Sequence, residues 1–329
     1  MRVETRHRSL EKGVHHGDLD LPAGRWRLDP LVSVTSRDDH AGSAVGVVGG
    51  GTMGVGIAYV FAVAGWSTTV VEPDAGRTAA LRATLSDTAS QGARRGKLDA
   101  GVAARLSEEV RTVASAADLP RHLDLVVETV PERFDLKRRV LAQIESRSPR
   151  VLATNTSALS IDALADGLDH PESFVGMHFF NPVWSLPMVE LVRGARTSDA
   201  TLGAAREFAS AIGKESITVR DVPGFATSRL DLIASLEAMR MLEDTVASAD
   251  DIDRAMVLAY RHPVGPLRLS DLVGLDVRLD IARNLQTALG ERYAPPRILE
   301  DKVAAGHLGR KTGRGFFDWP EHTTHEGSP

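Results

Sequence analysis

The sequence predicts an α/β protein in which a doubly wound, mostly parallel sheet precedes a smaller all-helical domain. Three observations carry that expectation. From Ser43 onward, short β-branched runs alternate with helical stretches. A glycine-rich turn, "VVGGGTMGVG", joins the first of those runs to a helix. Beyond "DVPGF" (Asp221–Phe225) the strand-like runs stop, and apolar residues recur at helical spacing.

Taken in order, residues 1–42 read as a charged arm without an apolar period, carrying His7, His15, His16 and His40. His15 and His16 are adjacent and face apart in regular structure, and no ligand cluster follows, so no metal site is expected. Residues 43–222 read as the sheet domain. "AVGVVG" (Ala44–Gly49) and "TTVVE" (Thr68–Glu72) are strand-like, with the helix "TMGVGIAYVFAVAGW" between them. "LDLVVETV" (Leu123–Val130) and "RVLATNTS" (Arg150–Ser157) are further strands, separated by helical "DLKRRVLAQIES". "FVGMHFF" and "PMVELV" flank a proline-bounded loop and read as an antiparallel pair. The "VPG" at Val222–Gly224 marks the junction. Within residues 223–320, Leu232, Ile233, Leu236, Met239 and Leu242 keep a helical period, and Ser248 is placed to cap the helix "SADDIDRAM". Residues 321–329 are a tail.

Composition narrows the classes of function. A chain of 329 residues, 43% hydrophobic and 25% charged, has room for two domains and a sizeable core. Its net charge of −5 lacks the basic balance of a nucleic-acid binder. The absence of cysteine removes disulfides, thiolate metal sites and cysteine nucleophiles, and it fits a cytoplasmic setting. Met1 is followed by charges rather than an apolar leader, and the most apolar stretch, Gly56–Gly65, is too short to span a membrane.

The glycine turn points to a dinucleotide. In Gly49-x-Gly51-x-x-Gly54 the first glycine permits the tight turn and the second lets the backbone approach a pyrophosphate. The third lets helix and strand pack closely, and Thr52 and Met53 lie between the second and third. Glu72 ends the next strand, eighteen residues beyond Gly54, where a carboxylate accepts from ribose hydroxyls and repels a 2′-phosphate. Pro73 and Asp74 follow with no immediate arginine, so NAD is expected rather than NADP.

A second feature asks for chemistry. His178 and Glu190 lie in the apolar stretch "GMHFFNPVWSLPMVELV", symmetrically about Trp184. If the two flanking runs pair antiparallel, imidazole and carboxylate become cross-strand neighbours. Each then makes the burial of the other tolerable, and the carboxylate fixes the tautomer of the ring.

These and other ordered motifs resemble those of the L-3-hydroxyacyl-CoA dehydrogenase family, which includes bacterial 3-hydroxybutyryl-CoA dehydrogenases. The motifs are "GGGTMGVGIA", "VVETVPERFDLK", "NTSALSI", "GMHFFNPV", "VPGF", "HPVGPLRLSDLVGLD" and "GRKTGRGFFDW", between Ser43 and Trp319. The resemblance implies a Rossmann-type domain with a helical dimerisation domain, NAD as cofactor, an acyl-CoA thioester as substrate and a homodimer. It implies His178 as the catalytic base, Glu190 as its orienting partner, and Ser157 beside the thioester and nicotinamide. Asn181 would position nicotinamide and substrate, and Glu132, Lys137 and Lys311 would line the cofactor. Ordinary alternatives stand beside these roles: a helix-capping serine, a turn asparagine before proline, and solvated charges. Arg94, Arg95 and Lys97 suit either the phosphates of coenzyme A or a solvated helix face. In one place the chain departs from the pattern. The family commonly has an asparagine reaching toward substrate just before an arginine, and here that position is Ser228, with a shorter arm.

The expected reaction is NAD-dependent interconversion of a 3-hydroxyacyl and a 3-oxoacyl thioester. Two rivals are the same chemistry on a carrier-protein-bound or free 3-hydroxy acid, and a catalytically silent NAD-binding sensor or scaffold.

Overall fold

The computed structural model describes residues 42–319. The tail and nearly all of the expected arm, with its four histidines, lie outside the described residues. Eight strands form one sheet: β1 (Ala44–Val48), β2 (Ser67–Val71), β3 (Arg111–Val113), β4 (Leu125–Glu128), β5 (Val151–Thr154), β6 (Phe174–Phe179), β7 (Met188–Arg193) and β8 (Glu215–Arg220). Their order is β3-β2-β1-β4-β5-β6-β7-β8, and all neighbours are parallel except β6 and β7. Helices α1 (Thr52–Val63), α2 (Ala75–Arg94), α3 (Ala100–Glu109), α4 (Phe134–Glu145), α5 (Ile161–Ala165) and α6 (Asp199–Ala211) connect them.

The central strands are buried on both faces, which is why they read as nearly continuous apolar runs. Alternate residues feed separate cores. Val45, Val47, Leu125 and Val127 pack with α1, α2, α3 and α6, whereas Val48 and Val126 pack with α4 and α5. Helix α1 is buried from Gly54 to Ala62, so the most apolar stretch of the chain is spent inside this domain. Among the described residues no helix is long and apolar enough to cross a membrane.

Two strands went unread in the sequence. β3 has three residues, too few to show a period. β8 is an edge strand whose residues are exposed or half-buried, so "ESITVR" mixes charged and apolar side chains.

Among the described residues beyond β8 lie α7 (Thr227–Glu243), α8 (Ala249–Tyr260), α9 (Pro266–Val273), α10 (Leu275–Leu289) and α11 (Arg297–Ala304), and no strand. Leu232, Leu236, Met239, Leu267, Leu279 and Leu285 share their core. Ser248 caps α8, accepting from the Asp251 amide at 3.2 Å. Buried Asp271 accepts from the amides of Phe316 and Phe317 and from the Trp319 indole, each at 2.9 Å. That carboxylate anchors the "GFFDW" segment to α9.

The topology also decides where a ligand goes. The chain leaves β1 for α1 on one face and leaves β4 for α4 on the other, so a crevice opens beyond the C-terminal ends of those strands.

Candidate active site

That crevice is a cleft of about 830 Å³ lined by the glycine loop, Glu72, Glu132, Ser157 and His178, among others. The loop is built for close approach. Gly49 has φ +114°, and Gly54 lies so close to it that a Cβ on Gly54 would be 1.8 Å from the Gly49 carbonyl oxygen. Gly51 is different: a Cβ there would meet nothing within 4 Å, so no neighbour in the protein demands glycine. Gly51 precedes α1 with no side-chain cap, and the first turn of the helix holds no acidic residue. Open space over uncapped amides at a helix N-terminus suits a pyrophosphate, and Thr52 and Met53 line the same cleft.

Glu72, 7% exposed, lines the same cleft from the end of β2, where a carboxylate suits ribose hydroxyls. It accepts from the Gly50 amide at 3.2 Å, the Asp74 amide at 3.0 Å, and Arg77 Nε and Nη2 at 3.0 and 2.8 Å. Burial works to raise its pKa, but Arg77 and the two amides more than offset this, so the carboxyl titrates below its ordinary value. No arginine follows Glu72 immediately in the sequence, but one reaches it in space. Arg77 lies in the first turn of α2, and the fold turns it back onto the strand end five residues earlier.

Farther along the sheet order, β6 and β7 pair with His178 opposite Glu190. His178 Nδ1 lies 3.0 Å from Glu190 Oε2. A carboxylate only accepts, so Nδ1 carries a proton, and in the neutral ring the lone pair is then on Nε2. Glu190 is wholly buried, and it accepts more than the histidine offers. Ala226 and Thr227 amides donate to Oε1 at 2.9 and 3.1 Å, and Thr227 Oγ1 donates to Oε2 at 2.8 Å. Burial opposes ionisation of this carboxyl, yet His178, the amides and the hydroxyl together hold its pKa below the ordinary value. The Phe180 and Phe225 rings flank the imidazole at 4.4 and 6.0 Å.

A third group shapes the loop carrying Ser157. Glu132 Oε1 accepts from Thr156 Oγ1 and from the amides of Ser157 and Ala158, the latter two at 3.0 and 3.3 Å. Asn155 Oδ1 accepts from the Phe179 amide at 2.9 Å, tying this loop to the strand that carries His178.

Several expected residues do not reach the cleft. Lys137 is fully buried and does not itself line the cleft; its ammonium lies 2.9 and 3.0 Å from the two oxygens of buried Glu128 and 3.4 Å from Glu132 Oε2 and the Asn155 carbonyl, two residues that do line it. An unpaired charge at that depth would be too costly, and the ion pair consumes it. Lys311 is likewise not brought to the cleft; its Nζ pairs with both Asp276 oxygens at 2.6 Å in the helical domain. Asn181 is exposed after β6 and Ser228 is half-buried in the first turn of α7, and neither lines the cleft. Arg94, Arg95 and Lys97 are exposed around the end of α2.

Other residues with roles here were missed. Glu128 also accepts from Thr154 Oγ1 at 2.6 Å, and its only signal was a carboxylate ending the apolar run "LVVE". Lys214 Nζ donates to the carbonyls of Val183 and Leu186, both at 2.6 Å, bracing the β6–β7 loop. Burial pulls its pKa down to about 8. No signal in the sequence marked it.

Two family models match the chain: 3-hydroxyacyl-CoA dehydrogenase, NAD binding domain, over residues 44–222, and 3-hydroxyacyl-CoA dehydrogenase, C-terminal domain, over residues 224–319. The chain belongs to the 3-hydroxyacyl-CoA dehydrogenase family. It is an NAD-dependent dehydrogenase of that family. A 3-hydroxybutyryl-CoA dehydrogenase of Bradyrhizobium diazoefficiens is 38% identical over 286 residues, 84% of this chain and 94% of the relative. One from Mycobacterium tuberculosis is 39% identical over 280 residues, 84% of this chain and 98% of the relative. The crystal structure of (S)-3-hydroxybutyryl-CoA dehydrogenase from Ralstonia eutropha superposes with a TM-score of 0.80 at 37% identity, covering 84% of this chain and 99% of that one. The eight-stranded, mostly parallel sheet with a helical C-terminal domain is the fold of such dehydrogenase structures.

Proposed function

We propose that this dehydrogenase interconverts (S)-3-hydroxyacyl-CoA and 3-oxoacyl-CoA, with His178 as general acid/base oriented by Glu190. The observation that carries the reading is the 3.0 Å Nδ1–Oε2 contact of a histidine that lines the cleft, which leaves Nε2 as the ring nitrogen not engaged by Glu190. In oxidation, Nε2 takes the proton of the substrate hydroxyl as hydride leaves C3. NAD, when bound, accepts that hydride. Ionised Glu190 then stabilises the imidazolium without taking its proton. In reduction, protonated His178 returns the proton to the 3-oxo oxygen. Ser157, which lines the same cleft, is the proposed contact for the thioester end; Asn181 and Ser228, which do not line it, are proposed as substrate contacts on the family resemblance. The names of the relatives support a CoA thioester and a short acyl chain. Rates on matched 3-hydroxybutyryl-CoA, carrier-bound and free-acid substrates test this, with the thioester of CoA expected to be fastest. Free acid turned over as fast as the CoA thioester would remove CoA from the reading, and the replacement of asparagine by Ser228 makes that comparison worth running.

The active form is proposed to be a homodimer formed through the helical domain. That domain leaves Leu230, Val246, Leu258 and Tyr260 between 62% and 72% exposed, more apolar surface than one small bundle needs to show water. Sedimentation at micromolar concentration should return twice the chain mass. A monomer that retains full activity would count against the proposal.

A further inference from the structure

Glu72 is held by an arginine that its strand does not announce, and the way it is held has consequences for cofactor choice. A carboxylate oxygen offers about two lone-pair positions. Oε1 of Glu72 already faces three donors: the Asp74 amide and two nitrogens of Arg77. Oε2 has one, the Gly50 amide at 3.2 Å. A ribose hydroxyl therefore finds room on Oε2, and a second hydroxyl reaches Oε1 only by displacing the guanidinium. Displacement is cheap, because the Arg77 side chain is 62% exposed while that of Glu72 is 5% exposed. Arg77 also lines the cleft.

We propose that Arg77 is a specificity-determining residue: a cation for the 2′-phosphate of NADP that Glu72 holds in check. The inference rests on reading the cleft as the dinucleotide site. Glu72 alone would repel the phosphate, but its charge is already countered at 2.8 Å. The preference for NAD is accordingly set by the pair and not by the carboxylate alone. With Glu72 removed, the guanidinium loses the carboxylate that binds it; Asp74, whose charge it also feels, is engaged by the Arg77 amide as the cap of α2, and a phosphate offers the guanidinium the bidentate geometry it favours.

Fluorescence titration of NADH and NADPH against purified full-length protein reads this directly, without turnover. The wild type should bind NADH the tighter. Arg77→Ala should widen the gap, because the carboxylate then meets the phosphate with no counter-charge. Glu72→Ser should narrow or reverse it, with NADPH affinity rising about tenfold relative to NADH, the scale of one charge-assisted contact. Glu72→Ser/Arg77→Ala should lose that rise. NADPH affinity in Glu72→Ser that is indifferent to Arg77 would overturn the assignment of Arg77 while leaving the cleft as the dinucleotide site. A wild type that bound neither dinucleotide would overturn both. Arg77 is mostly exposed, so Arg77→Ala is expected to fold, and its NADPH-to-NADH ratio alone is sufficient to reject the proposal.

Discussion

His178→Gln is expected to lose turnover by roughly a hundredfold or more, the usual contribution of a positioned general base, while still binding NADH. The glycine loop and Glu72 follow β1 and β2, His178 lies on β6 across the sheet order, and none of their hydrogen bonds passes through His178. Glu190→Gln should also slow turnover. An amide stabilises an imidazolium poorly, and its NH₂ group, turned toward Nδ1, would favour the wrong tautomer. Because Nδ1 and Oε2 are in direct contact, the double variant should be little worse than the worse single one. Steady-state rates of the four proteins give the answer. Multiplicative losses would mean that the two side chains act separately, and full activity in His178→Gln would reduce the histidine to a structural residue.

Gly54→Ala should have an effect of similar size by another route. A Cβ placed there lies 1.8 Å from the Gly49 carbonyl oxygen and 2.8 Å from Thr129 Oγ1, and backbone cannot rotate out of the way as a side chain can. The loop and α1 would have to part, at a cost of about 1–3 kcal/mol of stability and most of the affinity for NADH. Gly51→Ala is the informative contrast. It meets no protein atom within 4 Å, so thermal unfolding should change little, yet its methyl group occupies the space left for a ligand and affinity should fall. Calorimetry and NADH titration on both variants separate the two effects. Equal loss of stability in the two would contradict the distinction between the glycines.

Much of this was legible in the sequence, for identifiable reasons. Strands β1, β4 and β5 are buried on both faces and leave nearly unbroken apolar runs. The register of His178 with Glu190 follows from a hairpin centred on Trp184, a property of local spacing. What escaped was made by tertiary approach. Arg77 returns to Glu72 around the start of α2, and Lys137 looks like a surface charge until β4 supplies Glu128. The donors to Glu190 come 36 and 37 residues later in the chain. A carboxylate's partners can lie anywhere the fold brings them, and spacing along one strand says nothing about them.

The last of these has a consequence for recombining parts among relatives. Ala226 and Thr227 belong to the start of the helical domain, yet they donate three hydrogen bonds to Glu190, the carboxylate that holds His178. The border by fold, at the "VPG" turn, is therefore not the border by chemistry. A chimera joined at that turn would import a foreign first turn of α7 against a native Glu190, and inherit whatever mismatch in position the two parents carry. A seam placed after Thr227 keeps His178, Glu190 and its donors from one parent, and leaves the remainder of the bundle free to be exchanged.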